Sequence, residues 1–204
     1  MRVSAILSSL ALLVLGGCSK SQIDYYQPAY GASQTFTNSC SGKGPEDHIR
    51  IKLDDKVYVE VTAFYTLSEQ GNFTVQIAYY VPQESTLKFA NKVVRYSSED
   101  GQTQSFPFDQ VFRFMGTQHV ERQTADGLLP GRTIPIKVFQ EIRDVDVGYR
   151  VDIKHQFDQN ADQFTIQLPD VEVTGQLVQV DPIQFQLTQL SRVLPNNCQL
   201  PQYQ

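Results

Sequence analysis

The sequence predicts an all-β chain folded as an antiparallel β-sandwich of about ten short strands. Three observations predict it. From His48 onward, apolar residues recur at every second position in run after run. Clusters of Gly, Asn, Asp and Pro break these runs at roughly the 8–12-residue spacing of sandwich turns. No stretch sustains a 3.6-residue period with caps, so no helix competes for the core.

The elements follow in order. Ile49, Ile51 and Leu53 alternate with polar residues until Asp54-Asp55. Val57, Val59, Val61 and Ala63 alternate next, Leu67 to Asn72 is turn chemistry, and Phe73 to Val81 alternates again before Pro82. Two β-branched runs around a Gly/Asn turn predict a hairpin. Residues 86–97 fit strand or a helical turn; Val93 to Ser97 reads as strand because Glu99-Asp100-Gly101 then turns the chain into Gln104 to Phe108. Pro107 places that run at an edge or a bulge, since it cannot donate to a ladder. Val111, Phe112 and Phe114 form a short apolar group, and residues 115–132 read as a long loop. Ile134, Ile136 and Val138 alternate. Tyr149, Val151 and Ile153 are expected to face Phe164, Ile166 and Leu168 in a second hairpin across Asp158 to Asp162. Val171 with Val173, Leu177 to Val180, and Ile183, Phe185 and Leu187 complete the set.

Composition bounds the partners. The net charge is -5 with a pI near 5.1. That sign argues against nucleic acid as a partner, which needs a basic patch, and against polybasic adhesion to anionic lipid. The 41% apolar content is that of a folded domain.

The N-terminus carries a different signal. Arg2 is a positive start, and Val3 to Leu15 is an apolar run broken only by small Ser residues. It is too short to span a bilayer, which takes roughly 20 residues. It ends in Leu15-Gly16-Gly17-Cys18. Here the chain resembles bacterial lipoproteins, whose lipobox is an L-x-[G/A]-C tetrapeptide. The resemblance implies removal of residues 1–17 and acylation of Cys18, which would carry diacylglycerol and a fatty acyl group such as palmitate. Two or more chains make a stable anchor, at about 0.8 kcal/mol per buried CH₂. Ser19, rather than Asp, follows the cysteine, which by the same resemblance leans to the outer membrane. A cleavable signal with an incidental cysteine is the competing reading.

Cys40 and Cys198 remain. An even pair in an exported chain reads as a disulfide, because the periplasm is oxidising; two free thiols or an intermolecular bond are the alternatives. Residues 19–47 read as a tether and lead-in, rich in Ser, Gln, Gly and Asn and without a sustained period. Tyr25, Tyr26, Tyr30 and Phe36 within it read as rings packed on the body or at the membrane interface, or as an aromatic binding cluster.

Candidate chemistry is sparse. Asp158 to Asp162 opens like a calcium loop, but Gln163 and Pro169 stand where the turn Gly and the bidentate Glu belong. Asp144 and Asp146 share a side of a strand beside Arg143 and Arg150, which reads as a solvated charge cluster. His48, His119 and His155 sit in no ligand motif, and no metal or cofactor is implied. Gln184, Gln186 and Thr188 alternate with Ile183, Phe185 and Leu187. They make an uncharged face of donors and acceptors, suited to a glycan or a protein strand, or merely solvated.

The sequence thus reads as a signal peptide (1–17), an acylated tether (18–47) and one β-sandwich domain, Ig-like or similar (48–204). The expected function is non-catalytic: a lipid-anchored envelope protein that binds a partner or supports envelope assembly from the periplasmic side. A hydrolase acting on cell-wall or polysaccharide substrates is the alternative.

Overall fold

The structure, a computed structural model, describes residues 23–31, 35–36, 47–65, 72–116, 118–138, 140–156 and 161–190. Cys18, Cys40 and Cys198 lie outside them, as do residues 158–160 of the calcium-like loop.

The described residues form an all-β antiparallel sandwich. Its strands are β1 (Ile23–Ala29), β2 (Thr35–Phe36), β3 (His48–Lys52), β4 (Tyr58–Tyr65), β5 (Asn72–Val81) and β6 (Thr86–Phe89). They continue with β7 (Val93–Ser98), β8 (Thr103–Pro107), β9 (Gln110–Met115), β10 (Gln118–Thr124), β11 (Leu129–Pro130) and β12 (Thr133–Val138). The last are β13 (Glu141–Gln156), β14 (Gln163–Gln167), β15 (Val171–Val173), β16 (Gln176–Val178) and β17 (Ile183–Leu190). The first sheet has the order β1-β17-β14-β7-β8, and the second β10-β9-β13-β5-β4-β3-β2 with β12 on β13. A small third sheet runs β11-β6-β15-β16.

Period-two patterning explains why these segments are strands: Ile49, Ile51, Val59, Val61, Val75, Ile77, Val151 and Ile153 all turn inward and are buried. The first expected hairpin is present, with β4 and β5 in register from Tyr58↔Tyr80 to Tyr65↔Phe73. So is the turn from β7 into β8. Pro107 lies on an edge strand, as its missing donor requires, and the opposite edge of the same sheet, β1, carries Pro28.

Three expectations are corrected and one open reading, residues 86–89, is resolved. Residues 149–153 and 164–168 do not pair with each other. β13 pairs with β5, β9 and β12, whereas β14 pairs with β17 and β7. The chain therefore crosses between sheets, which alternation and turn residues cannot tell from a hairpin. Residues 115–132 are not a loop throughout: β10 pairs with β9. An edge strand needs no buried stripe, so Glu121 and Arg122 hid it. Residues 86–89 are strand, closing the third sheet. Lastly, Ile23–Ala29, inside the segment read as tether, is a full strand paired with β17.

The three sheets share one core. In the first sheet, Phe164 stacks on Phe185 at 5.0 Å and meets Tyr26 edge-on at 4.9 Å. Tyr26 donates its hydroxyl to the Ala161 carbonyl at 2.9 Å. Each such ring removed from water stabilises by roughly 1.5–3 kcal/mol. Phe89 of the third sheet meets Tyr79 of the second edge-on at 5.3 Å. Gly148 lies under the Phe114 ring, where a Cβ would fall 2.3 Å from Cζ, so no other residue fits without displacing that ring.

Two neighbouring core tyrosines contrast. Tyr149 and Tyr79 face each other in register. The Tyr149 hydroxyl donates to the Pro130 carbonyl at 2.7 Å, tying the second sheet to the third. The Tyr79 hydroxyl is buried without a hydrogen-bond partner among the described residues, and burial pushes its phenol far above the ordinary range. An unmet buried hydroxyl costs about 1–3 kcal/mol. Tyr79→Phe is therefore expected to keep or raise stability, and Tyr149→Phe to lower it by about 1–2 kcal/mol, since it orphans a carbonyl. Urea denaturation of both variants checks the opposite signs.

Candidate functional site

The outward face of the first sheet gathers the strongest candidate. Register fixes which residues share it, because directly paired residues point to the same side. Gln27, Gln186 and Gln163 form one row across β1, β17 and β14. Ala29, Gln184, Thr165, Ser97 and Thr103 form the next, across all five strands. At about 4.8 Å per strand, that row is roughly 19 Å wide. Gln184 and Gln186 are exposed, and Thr188 is half-buried. The structure thus places the three sequence-predicted residues on one face and adds Gln27, Gln163, Thr165, Ser97 and Thr103. Those were missed because each lies on a strand remote in sequence; their polar alternation was legible, but the sheet order was not.

The face is mostly amides and hydroxyls, with the exposed Arg95 in the row beyond Ser97 and Glu99 at its margin. The amides of Gln163, Gln184 and Gln186 make no side-chain hydrogen bond among the described residues. Thr188 Oγ1 lies 3.5 Å from Gln27 Oε1, and Ser97 and Thr103 share a hydroxyl contact at 3.1 Å. Gln167, on the same face, is committed, donating to the Val180 carbonyl at 2.6 Å. Between β14, β17 and the end of β7 lies a shallow depression of about 180 Å³, lined by Ser97, Glu99, Gln163, Thr165, Gln184 and Gln186 among others. It is smaller than the roughly 300–1,000 Å³ that encloses a free small molecule. It suits one unit of a chain lying along the sheet.

The aromatic residues of the lead-in do not form a binding cluster. Tyr26 is core, at 2% exposure, and Tyr30 packs against the core. Tyr25 is buried opposite Thr188. The Phe36 side chain is outside the described residues.

The other candidates stay apart. Asp146 accepts a hydrogen bond from Thr133 at 2.7 Å, and Asp144 is exposed opposite Pro135. Arg143 pairs with Glu141 at 2.7 Å, and Arg150 Nε lies 2.9 Å from Asp152 Oδ1, off the hydrogen-bonding line. These carboxylates sit on strand faces rather than in a cleft. His48 Nδ1 lies 2.6 Å from Oδ1 of the fully buried Asp47. Thr62 stands opposite His48 in register, but its buried hydroxyl makes no hydrogen bond, so it is no nucleophile activated by that imidazole. The His119 and His155 side chains fall outside the described residues. No group of three metal-ligating side chains occurs among the described residues.

The perturbed charges are structural. Lys92 Nζ bridges Asp126 at 2.6 Å and Asp109 at 3.1 Å, pinning β7 to the turns that flank β9 and β10. Asp126 is held below the ordinary carboxylate range, first by the hydrogen bond from Lys92 and then by the Thr124 hydroxyl. Lys92 is held above the ordinary lysine range by Asp126 and Asp109. A depressed carboxylate contributes stability above its ordinary value, here 3.8, and loses that contribution as the pH falls through its folded value. Asp126→Asn is expected to lower Tm at pH 7 by at most roughly 3 °C, the scale of an exposed pair, and to lower it less at pH 2. Calorimetry at the two pH values checks this.

No protein-family model matches the chain, and no curated protein matches it. Among solved structures, Northeast Structural Genomics Consortium target SoR45 is similar at 12% identity and a TM-score of 0.33, over 65% of this chain and 88% of that one.

Proposed function

We propose that this chain is a lipid-anchored envelope protein of the outer membrane. Its sandwich domain faces the periplasm and binds a neutral glycan or an envelope protein without turning it over. The observation that carries the binding reading is the set of three uncommitted amides, Gln163, Gln184 and Gln186, gathered on one face, with Gln163 and Gln186 directly paired. Each hydrogen bond there adds only about 0.5–1.5 kcal/mol net, so affinity must come from several made at once along an extended partner. The Leu15-Gly16-Gly17-Cys18 tetrapeptide supports the anchor. A Cys40–Cys198 disulfide belongs to the same reading of an exported chain.

The hydrolase reading rests on the Asp47–His48 pair, a carboxylate orienting an imidazole. Turnover of envelope polysaccharide that disappears in His48→Ala would establish it in place of the binding reading.

Two results are expected. Radiolabelled palmitate is incorporated into the chain but not into Cys18→Ser, which shifts from the membrane to the soluble fraction. Titration with soluble neutral envelope glycan gives saturable binding that weakens about tenfold or more in Gln184→Glu/Gln186→Glu, with unchanged thermal stability. Unaltered binding in that variant would remove the face as the site.

A further inference from the structure

A strand is the end of any tether. β1 begins at Ile23, in register with Leu190, and runs seven residue pairs along β17. Tyr26 of this strand is buried at 2% exposure, against Phe164 and with its hydroxyl on the Ala161 carbonyl. β1 is therefore part of the body and cannot pay out as slack. Between Cys18 and Ile23 stand only Ser19, Lys20, Ser21 and Gln22. Whatever conformation they take, five residue steps reach at most about 18 Å.

The register fixes which parts of the domain share that end. β17 ends there at Leu190 and β14 starts there at Gln163. β7 ends there at Ser98 and β8 starts there at Thr103. Glu99, Asp100 and Asp162 therefore lie at the Ile23 end, and Asp181 lies at the other. Lys20 is the one cation in the linking residues. These three carboxylates, against Lys20 and the Arg192 that follows Leu190 in sequence, leave this end with a small net negative charge, which disfavours an anionic surface and tolerates a zwitterionic one.

We propose that the sandwich is seated directly on the leaflet bearing the Cys18 acyl chains, with the Ile23–Leu190 end of its first sheet against zwitterionic headgroups. The inference rests on the lipid attachment at Cys18. The polar face then rises from the membrane edge-on. Gln184 lies six residues back along β17 from Leu190, about 20 Å, so the face stays within roughly 40 Å of the lipid. Its partner must be one that comes that close to the leaflet.

The chain contains no Trp, so a single introduced Trp reports its own position. Glu99→Trp and Asp181→Trp mark opposite ends of the first sheet at exposed positions; Gln102→Trp is an independent reporter in the same turn as Glu99 should that variant fold poorly. Each full chain is produced in a host that acylates lipoboxes, partitioned into detergent, and reconstituted in phosphatidylcholine vesicles with nitroxide-headgroup lipid. The reporter at 99 or 102 is expected to be quenched several-fold more than that at 181. Twenty Gly/Ser residues inserted between Ser21 and Gln22 should abolish the difference. Equal quenching at the two ends in the native-length chain overturns the seating while leaving the anchor standing. A chain that stays in the aqueous phase during detergent partition overturns the anchor, and the seating with it.

Discussion

The pairing of the first strand with the last is the constraint on which the rest depends. Thr188 and Gln27, which meet across it, are 161 residues apart. Bringing such distant segments together costs about 4–5 kcal/mol of loop-closure entropy before any contact repays it. The repayment is visible: a seven-pair ladder, the Tyr26 ring wedged against Phe164, and its hydroxyl on Ala161. Without β1, β17 would be an edge, its amide-rich face would lose the Gln27 row, and the core would open beside Phe185. One pairing thus completes the sheet, closes the core and sets where the body begins.

The three sheets hold together through few directional contacts and much apolar burial. Tyr149 reaching Pro130 and Phe89 reaching Tyr79 join the second sheet to the third. The first sheet is held by the Tyr26, Phe164 and Phe185 stack and by aliphatic burial. Burial is not directional, so the hydrogen bonds decide register while the side chains decide stability. The outer face of the first sheet is released from both tasks. Its residues need only be compatible with strand, which leaves uncommitted amides where structure makes no demand on them.

Much of this was legible in the sequence, and the limits have physical causes. Alternation gave the strand class and the inward positions, because a two-residue period is local. The face of Gln184, Gln186 and Thr188 was legible for the same reason. Which strands flank it was not: Gln163 and Gln27 join that face only through pairings that no local pattern encodes. β10 was hidden because an edge strand need not be apolar. Residues 149–153 and 164–168 carry the same alternation whether they pair or part into different sheets. β1 was taken for tether because its Tyr25-Tyr26 doublet buries consecutive residues and breaks the alternation.

The prolines at the two margins of the first sheet have a consequence for further pairing. Pro28 and Pro107 each withdraw a donor from a strand that has a neighbour on one side only. An unprotected margin is a template on which further copies add. Two missing protons, one at each flank, leave each margin a poorer template for an added strand.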